Sequence, residues 1–203
     1  MKRILEIEEN SNSPTIDLLE EAKGLSPSVI TKFTVKWQAE YDEWRKRDLS
    51  RKEYVYVWAD GIYVKSRLDG EKTCLLVIIG VTVEGKKELV AVQAGIREST
   101  ESWRGVLLDL KFRGLTKAPK LAVCDGALGF QNAVDEIWGQ LKIQRCWFLK
   151  STKGNGSSAT SVAMAFKLCL QADKDWRRFR GFKQLELVAK NIIFVDGEQM
   201  KAD

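Results

Sequence analysis

Two aspartates carry the chemistry that this sequence could do. Asp60 closes the run Tyr54-Val55-Tyr56-Val57-Trp58-Ala59, Asp125 closes Lys120-Leu121-Ala122-Val123-Cys124, and each is followed by glycine. Runs rich in β-branched and aromatic residues make strands. A carboxylate at the end of such a strand is held rigidly enough to ligate a metal. The competing reading is structural: an Asp-Gly pair that ends a strand and starts a turn. The 203-residue chain contains no histidine. That removes an imidazole base, a Ser–His or Cys–His nucleophile pair, and histidine metal ligands. Neither GxxxxGK[ST] nor GxGxxG occurs, so no nucleotide cradle is expected. Catalysis must rest on carboxylates, lysines, tyrosines or cysteines. Two carboxylates brought together repel unless a cation joins them, and hard oxygen donors favour Mg²⁺ or Mn²⁺. Two such ions, roughly 3.5–4 Å apart, clamp the attacking and leaving oxygens of a phosphodiester.

The elements that would position the pair can be read in order. Residues 1–23 are weakly patterned, with a loop signal at Asn10-Ser11-Asn12-Ser13-Pro14. In the segment 24–52, Ser26 and Pro27 offer an N-cap and a first helical position. Val29, Ile30, Phe33, Trp37, Tyr41 and Trp44 then form an amphipathic stripe. Lys32 and Lys36 lie off that stripe, either as a solvated face or as contacts to DNA phosphates. The opening strand, 54–60, probes past Asp60 into a continuation over Ile62 to Arg67. Thr73–Thr82, apolar on both faces and therefore central, and Lys86–Ala94 form a hairpin about Glu84-Gly85. A helix capped by Ser99 or Thr100 carries Trp103, Val106, Leu107 and Leu110 and stops at Gly114. A short buried strand follows at Lys120–Cys124, then a helix over Ala127–Trp138 and a fifth strand over Leu141–Cys146. The order β-β-β-α-β-α-β is that of an α/β, ribonuclease-H-like mixed sheet flanked by helices. There the first strand lies beside the fourth, which brings Asp60 and Asp125 to one sheet edge. The expected core spans 53–147. A helical segment, 148–203, follows, with one long helix from Ala159 to Arg180 and a short helix or turn and a strand beyond it.

Composition sets the outer limits. Apolar residues are 44% and charged residues 30% of the chain, a soluble globular balance. The longest apolar run, Cys74 to Val81, is too short to span a bilayer, and no signal-peptide core is present, so a cytoplasmic location and no membrane partner are expected. The net charge of +5 permits an anionic partner such as DNA without requiring one. Cys74, Cys124, Cys146 and Cys169 form no C-x-x-C pair, so free thiols are expected.

Several collinear motifs resemble one family. They are Tyr54 to Tyr63, Gly85-Lys86-Lys87-Glu88-Leu89, Arg97-Glu98-Ser99 with Ser102-Trp103-Arg104, Asp109-Leu110-Lys111 with Arg113-Gly114-Leu115, Asp125 to Phe130, and Gln144-Arg145-Cys146-Trp147. Thr152-Lys153-Gly154, Ala163 to Leu168 and Trp176-Arg177-Arg178 continue them. Together they resemble the Mutator-type transposases of bacterial insertion sequences. The resemblance implies a DDE transposase in which two Asp and one Glu bind Mg²⁺ or Mn²⁺. Water would nick the transposon end and the freed 3′-hydroxyl would attack target DNA. Asp60 matches the first acid and Asp125 the second, as catalytic residues and metal ligands. Lys32, Lys36, Lys153, Arg177, Arg178 and Arg180 are candidate DNA contacts. Implied partners are DNA, at transposon ends and target, and a further copy of the chain or an intact transposase.

The departures from the pattern shape the expectation of activity. Leu149 stands where the family's Cys-x-x-His signature ends in histidine. The helical insertion and the Asn-Pro-Ile-Glu segment that carries the third acid are missing, and the N-terminal helical region is short. The sequence thus reads as an internally deleted, N-terminally shortened copy. Asp135, Glu136 and Asp173 are other acids in range, and no motif supports any of them. Loss of one ligand predicts failure to cleave or join DNA. The alternative is a non-catalytic remnant that binds DNA, or that dimerises with an intact transposase and modulates it. The last helix could fill the place left by the deleted region or hang loose with an apolar face exposed.

Overall fold

The strand over Lys72–Val81 (β2) alternates two apolar sets, and the sheet is layered on both. Cys74, Leu76 and Ile78 belong to one buried cluster, and Leu75, Val77 and Ile79 to another. The period of two sends successive side chains to opposite faces, so both faces must be covered. The structure, a computed structural model, describes residues 27–65, 72–139, 141–145, 154–155, 158–176, 178, 182–190, 192, 194–195 and 198–199.

The strand Tyr56–Lys65 (β1) pairs antiparallel with β2 over its whole length. The strand Lys87–Gly95 (β3) pairs with the other side of β2, with a bulge where Ile78 and Ile79 meet Ala91 and Leu89. Leu121–Cys124 (β4) runs parallel to β1, and Lys142–Arg145 (β5) runs parallel to β4. The sheet order β3-β2-β1-β4-β5, with a helix in each crossover between parallel strands, is the ribonuclease-H-like arrangement that the element order predicts. Gly154–Asn155 (β6) adds a short parallel pairing at the end of β1.

One face of the sheet is packed by the helices Thr100–Phe112 (α2) and Leu128–Trp138 (α3). Trp103, Val106, Leu107 and Leu110 of α2 meet Phe130, Ala133 and Val134 of α3. The Trp103 and Phe130 rings cross edge to face at 5.0 Å, a favoured aromatic geometry. Ser99 caps α2, its hydroxyl accepting from the Ser102 amide at 3.2 Å. The other face is packed by Pro27–Trp44 (α1) and Ser158–Asp175 (α4). The Tyr41 hydroxyl donates to the Val92 carbonyl at 2.7 Å, and Lys167 of α4 pairs with Glu40 of α1. Arg47 anchors the end of α1, donating to the Leu89 and Val90 carbonyls at the bulge while stacking 3.8 Å from the Trp44 ring.

β1 runs through Asp60 and Gly61, as the continuation expected over Ile62 to Arg67 requires, because β2 lies alongside it to Lys65. What stops there is the other side, since β4 leaves β1 after Trp58 meets Val123. Two elements differ from the sequence expectations. The long helix ends at Asp175 rather than Arg180. The Trp176 amide closes its last turn on the Asp173 carbonyl at 3.4 Å, and a separate helix, Phe182–Ala189 (α5), follows. The late strand is a hairpin of Phe194–Val195 (β7) and Glu198–Gln199 (β8). Cys74, Cys124 and Cys169 are buried free thiols; Cys146 lies outside the described residues. Among the described residues no helix is long and apolar enough to cross a membrane.

Candidate metal centre

The site lies where β1 and β4 part. Asp60 projects from β1 two residues beyond Trp58, the last residue that β1 pairs with β4, and Asp125 follows β4 directly. Between β4 and α3, Gly126 takes φ of +91°, a left-handed conformation that glycine adopts at little cost. The turn is held by Asp125 itself, whose Oδ1 accepts from the Ala127 amide at 2.8 Å. The pair predicted from sequence is therefore brought together.

A third carboxylate arrives from the loop between β3 and α2. One oxygen each of Asp60, Glu98 and Asp125 lies within 4.8 Å of the others, and all three residues are partly buried. Two glycines admit Glu98. A Cβ on Gly61 would stand 2.2 Å from the Glu98 carboxyl carbon, and a Cβ on Gly129 would stand 2.2 Å from the Glu98 carbonyl oxygen. The first clash would push a side chain aside, whereas the second would force backbone to move.

The charges are uncompensated. Among the described residues no lysine or arginine forms an ion pair with any of the three acids. Burial first, then the Asp125 charge, raises the Asp60 carboxyl to about 6. Burial, then Asp125 and Asp60, raises Glu98 to about 7. Both acids hold a proton more tightly in the folded than in the unfolded chain. Their contribution to stability is therefore complete below about pH 4 and is lost as pH rises through 6 to 7. Without added metal, the unfolding free energy is expected to fall between about pH 5 and about pH 8. Urea titrations at a series of pH values read this directly; a rise over the same interval would contradict it.

Three partly buried oxygen donors with no protein cation among them suit a hard divalent ion: it would remove the repulsion and match the donor type. Glu98 was not singled out in the sequence, although it stands in the Arg97-Glu98-Ser99 motif. The signal was topological. β3 runs parallel to β1, so the residues just after β3 emerge at the same sheet edge as those ending β4.

The other candidates are placed elsewhere. Glu136 is exposed and lies 3.5 Å from Arg104, and Asp135 is exposed. Asp173 lies on α4, where burial and Glu88 raise its carboxyl. Lys32 and Lys36 are exposed on α1. Arg178 lies over the Phe182 ring at 4.7 Å and beside Gly85, in the β2–β3 turn at the end of the sheet opposite the three acids. Lys153, Arg177 and Arg180 lie outside the described residues, as does Leu149.

The family model "Transposase, Mutator family" matches residues 14–153. The transposase for insertion sequence element IS6120 of Mycolicibacterium smegmatis is 53% identical over 142 residues, covering 70% of this chain and 44% of that protein. The transposase for IST2 of Acidithiobacillus ferrooxidans is 46% identical over 137 residues, covering 68% and 46%. The chain thus spans less than half the length of these curated relatives. Among solved structures, the Mos1 mariner transposase catalytic domain aligns at 13% identity with a TM-score of 0.33, covering 78% of this chain and 79% of that one.

Proposed function

Because the chain belongs to the Mutator family of transposases, we propose that it forms a metal-dependent DNA-cleaving core. In this reading Asp60, Asp125 and Glu98 hold Mg²⁺ or Mn²⁺ against a DNA strand at a transposon end. The observation that carries the proposal is the convergence of three uncompensated carboxylates at one sheet edge. The expectation of inactivity counted two acids there. In this reading Glu98 supplies a third from within the core itself.

When bound, the divalent ion supplies Lewis-acid polarisation of the scissile phosphate. The residues of the chain do the rest. Asp60 would hold the ion from the sheet, and Asp125 would hold it from a turn that its own carboxylate braces. Glu98 would complete the set from the loop between β3 and α2. Three charges on three separate elements hold their geometry only if the elements are packed rigidly, which the Trp103–Phe130 contact behind them provides. The partners in this reading are DNA and at least one further transposase chain, because joining two transposon ends to a target needs more than one centre. The segments 1–23, 24–52, 53–147 and 148–203 remain the proposed division of labour, with 53–147 carrying the centre.

The test is a plasmid bearing a transposon end, incubated with purified protein and Mn²⁺, alongside Mn²⁺ titration calorimetry. Nicking, and Mn²⁺ binding that Glu98→Gln weakens about 10–100-fold or more, are expected. Mn²⁺ binding with no nicking would favour the non-catalytic remnant. No Mn²⁺ binding would remove the metal centre altogether.

A further inference from the structure

We propose that Arg145 binds a backbone phosphate of the DNA strand engaged at the Asp60–Glu98–Asp125 centre. The inference rests on the reading of that centre as a DNA-processing site and adds the protein cation that the centre otherwise lacks.

Arg145 is the last residue of β5, in register with Cys124 of β4, so it emerges at the sheet edge where Asp125 turns away. Its Nε donates to the Asp125 carbonyl oxygen at 3.2 Å. That bond fixes the side chain by the backbone of a site residue and leaves the carboxylates out of it. Gly126 makes the seat: a Cβ there would stand 2.5 Å from Arg145 Nε and 3.1 Å from Cζ. The guanidinium therefore sits close against the Gly126 main chain, where a side chain would displace it. Among the described residues it forms no ion pair and no other hydrogen bond, and it is exposed.

An arginine held by Nε still presents both terminal nitrogens. These form a planar fork that matches two oxygens of a phosphate. Bonded to the main chain of Asp125 and, among the described residues, paired with no carboxylate, it neutralises no acid of the protein. Its charge is open to an anionic ligand drawn to the same edge, and DNA brings one anionic phosphate per nucleotide.

The experiment uses the full chain and a short fluorescent duplex with a recessed 3′ end, in Ca²⁺ buffer, with anisotropy read across a KCl series. Neutralising one phosphate contributes about one to the slope of log affinity against log salt. Arg145→Ala is expected to reduce that slope by about one and to weaken binding several-fold. Melting temperature and Mn²⁺ affinity should stay at parental values. Arg145→Lys should restore the slope but not the full affinity, because an ammonium cannot make the forked contact. Lys142→Ala, at the far end of the same strand, should change the slope less. Equal binding by parent and Arg145→Ala with Mn²⁺ affinity intact would overturn the proposal and leave the metal centre standing. An equal effect of Lys142→Ala would overturn it in favour of a diffuse basic surface. No duplex binding by the parent would overturn both the proposal and the DNA-processing reading.

Discussion

Asp60→Asn is expected to make the metal-free protein more stable and the metal-bound protein unattainable. Asparagine has nearly the same shape, so packing beside β2 is kept, but the charge that meets Asp125 and Glu98 is gone. At about pH 8 the parent must ionise Asp60 against burial and a neighbouring carboxylate, which is why its carboxyl is raised to about 6. Each unit of such a shift corresponds to about 1.4 kcal/mol, so relief on the order of 1–3 kcal/mol is expected. For a domain of this size that is roughly 2–4 °C in Tm per kcal/mol. With Mn²⁺ the sign reverses. Loss of even an outer-sphere partner costs about 10–100-fold in metal affinity, so loss of a direct ligand should cost about 100-fold or more. Nicking should fall by about 10³ or more, since a misplaced Lewis acid forfeits several kcal/mol of barrier lowering. Scanning calorimetry in EDTA and in Mn²⁺ reads both halves. A variant that is less stable in EDTA and still gains stability from Mn²⁺ would show that the three acids are not a metal centre. Selection for stability alone would not retain Asp60, and that conflict between stability and charge is expected of a functional site.

The degree to which this was legible in the sequence differs by element, for physical reasons. β2 announced its central place because an apolar run without alternation has to be buried on both sides, and Cys74 to Val81 is buried on both. Ser99 announced α2 because capping is local chemistry. Asp60 and Asp125 could be paired before any coordinates, because parallel β1 and β4 need a crossover helix and both acids follow strands of the same direction. The run of β1 past Asp60 was legible in Ile62 to Arg67, and its neighbour is what carries it. Whether a strand continues through an Asp-Gly pair depends on its neighbour, and β2 is long enough to carry it to Lys65. Glu98 is the instructive case. Nothing within several residues of it marks a ligand, and its approach depends on missing side chains at Gly61 and Gly129. Those positions lie in β1 and α3, far from Glu98 along the chain. A glycine in mid-strand is a signal of close approach, but the sequence does not say what approaches. Arg145 was quoted as part of a motif without a role, because its meaning comes from the Gly126 backbone under it.

Phe166→Ala tests whether the C-terminal helix is a structural part of the domain. The sequence left two outcomes open for that helix, filling a vacated place or hanging loose. In the structure α4 lies against β3 and α1, with Val162, Phe166 and Cys169 turned onto Leu75, Val77, Ile79, Leu89 and Val92. Phe166 is 1% exposed. Its ring meets Tyr41 edge to face at 5.4 Å and Trp44 at 4.8 Å, so one side chain joins α4, α1 and the sheet. Tyr41 is itself tied to β3 through Val92, and a hole beside it cannot close by moving that ring without breaking the bond. A cavity that cannot collapse puts the cost at the upper end for this substitution, about 3–5 kcal/mol. The corresponding fall in Tm, at roughly 2–4 °C per kcal/mol, is large enough to be seen in a single melt. Phe112→Ala is the matched control, since Phe112 is 91% exposed on α2 and removes the same ring from water. A loss below about 0.5 kcal/mol is expected there. If Phe166→Ala were as mild as Phe112→Ala, α4 would not be docked in solution, and the second face of the sheet, Leu75 and Val77 included, would stand open to solvent. The three acids come from β1, the loop before α2 and the turn after β4, and none of them lies on α4. A docked α4 therefore predicts that Phe166→Ala lowers Tm with and without Mn²⁺ by similar amounts, so that the increment Mn²⁺ adds is unchanged.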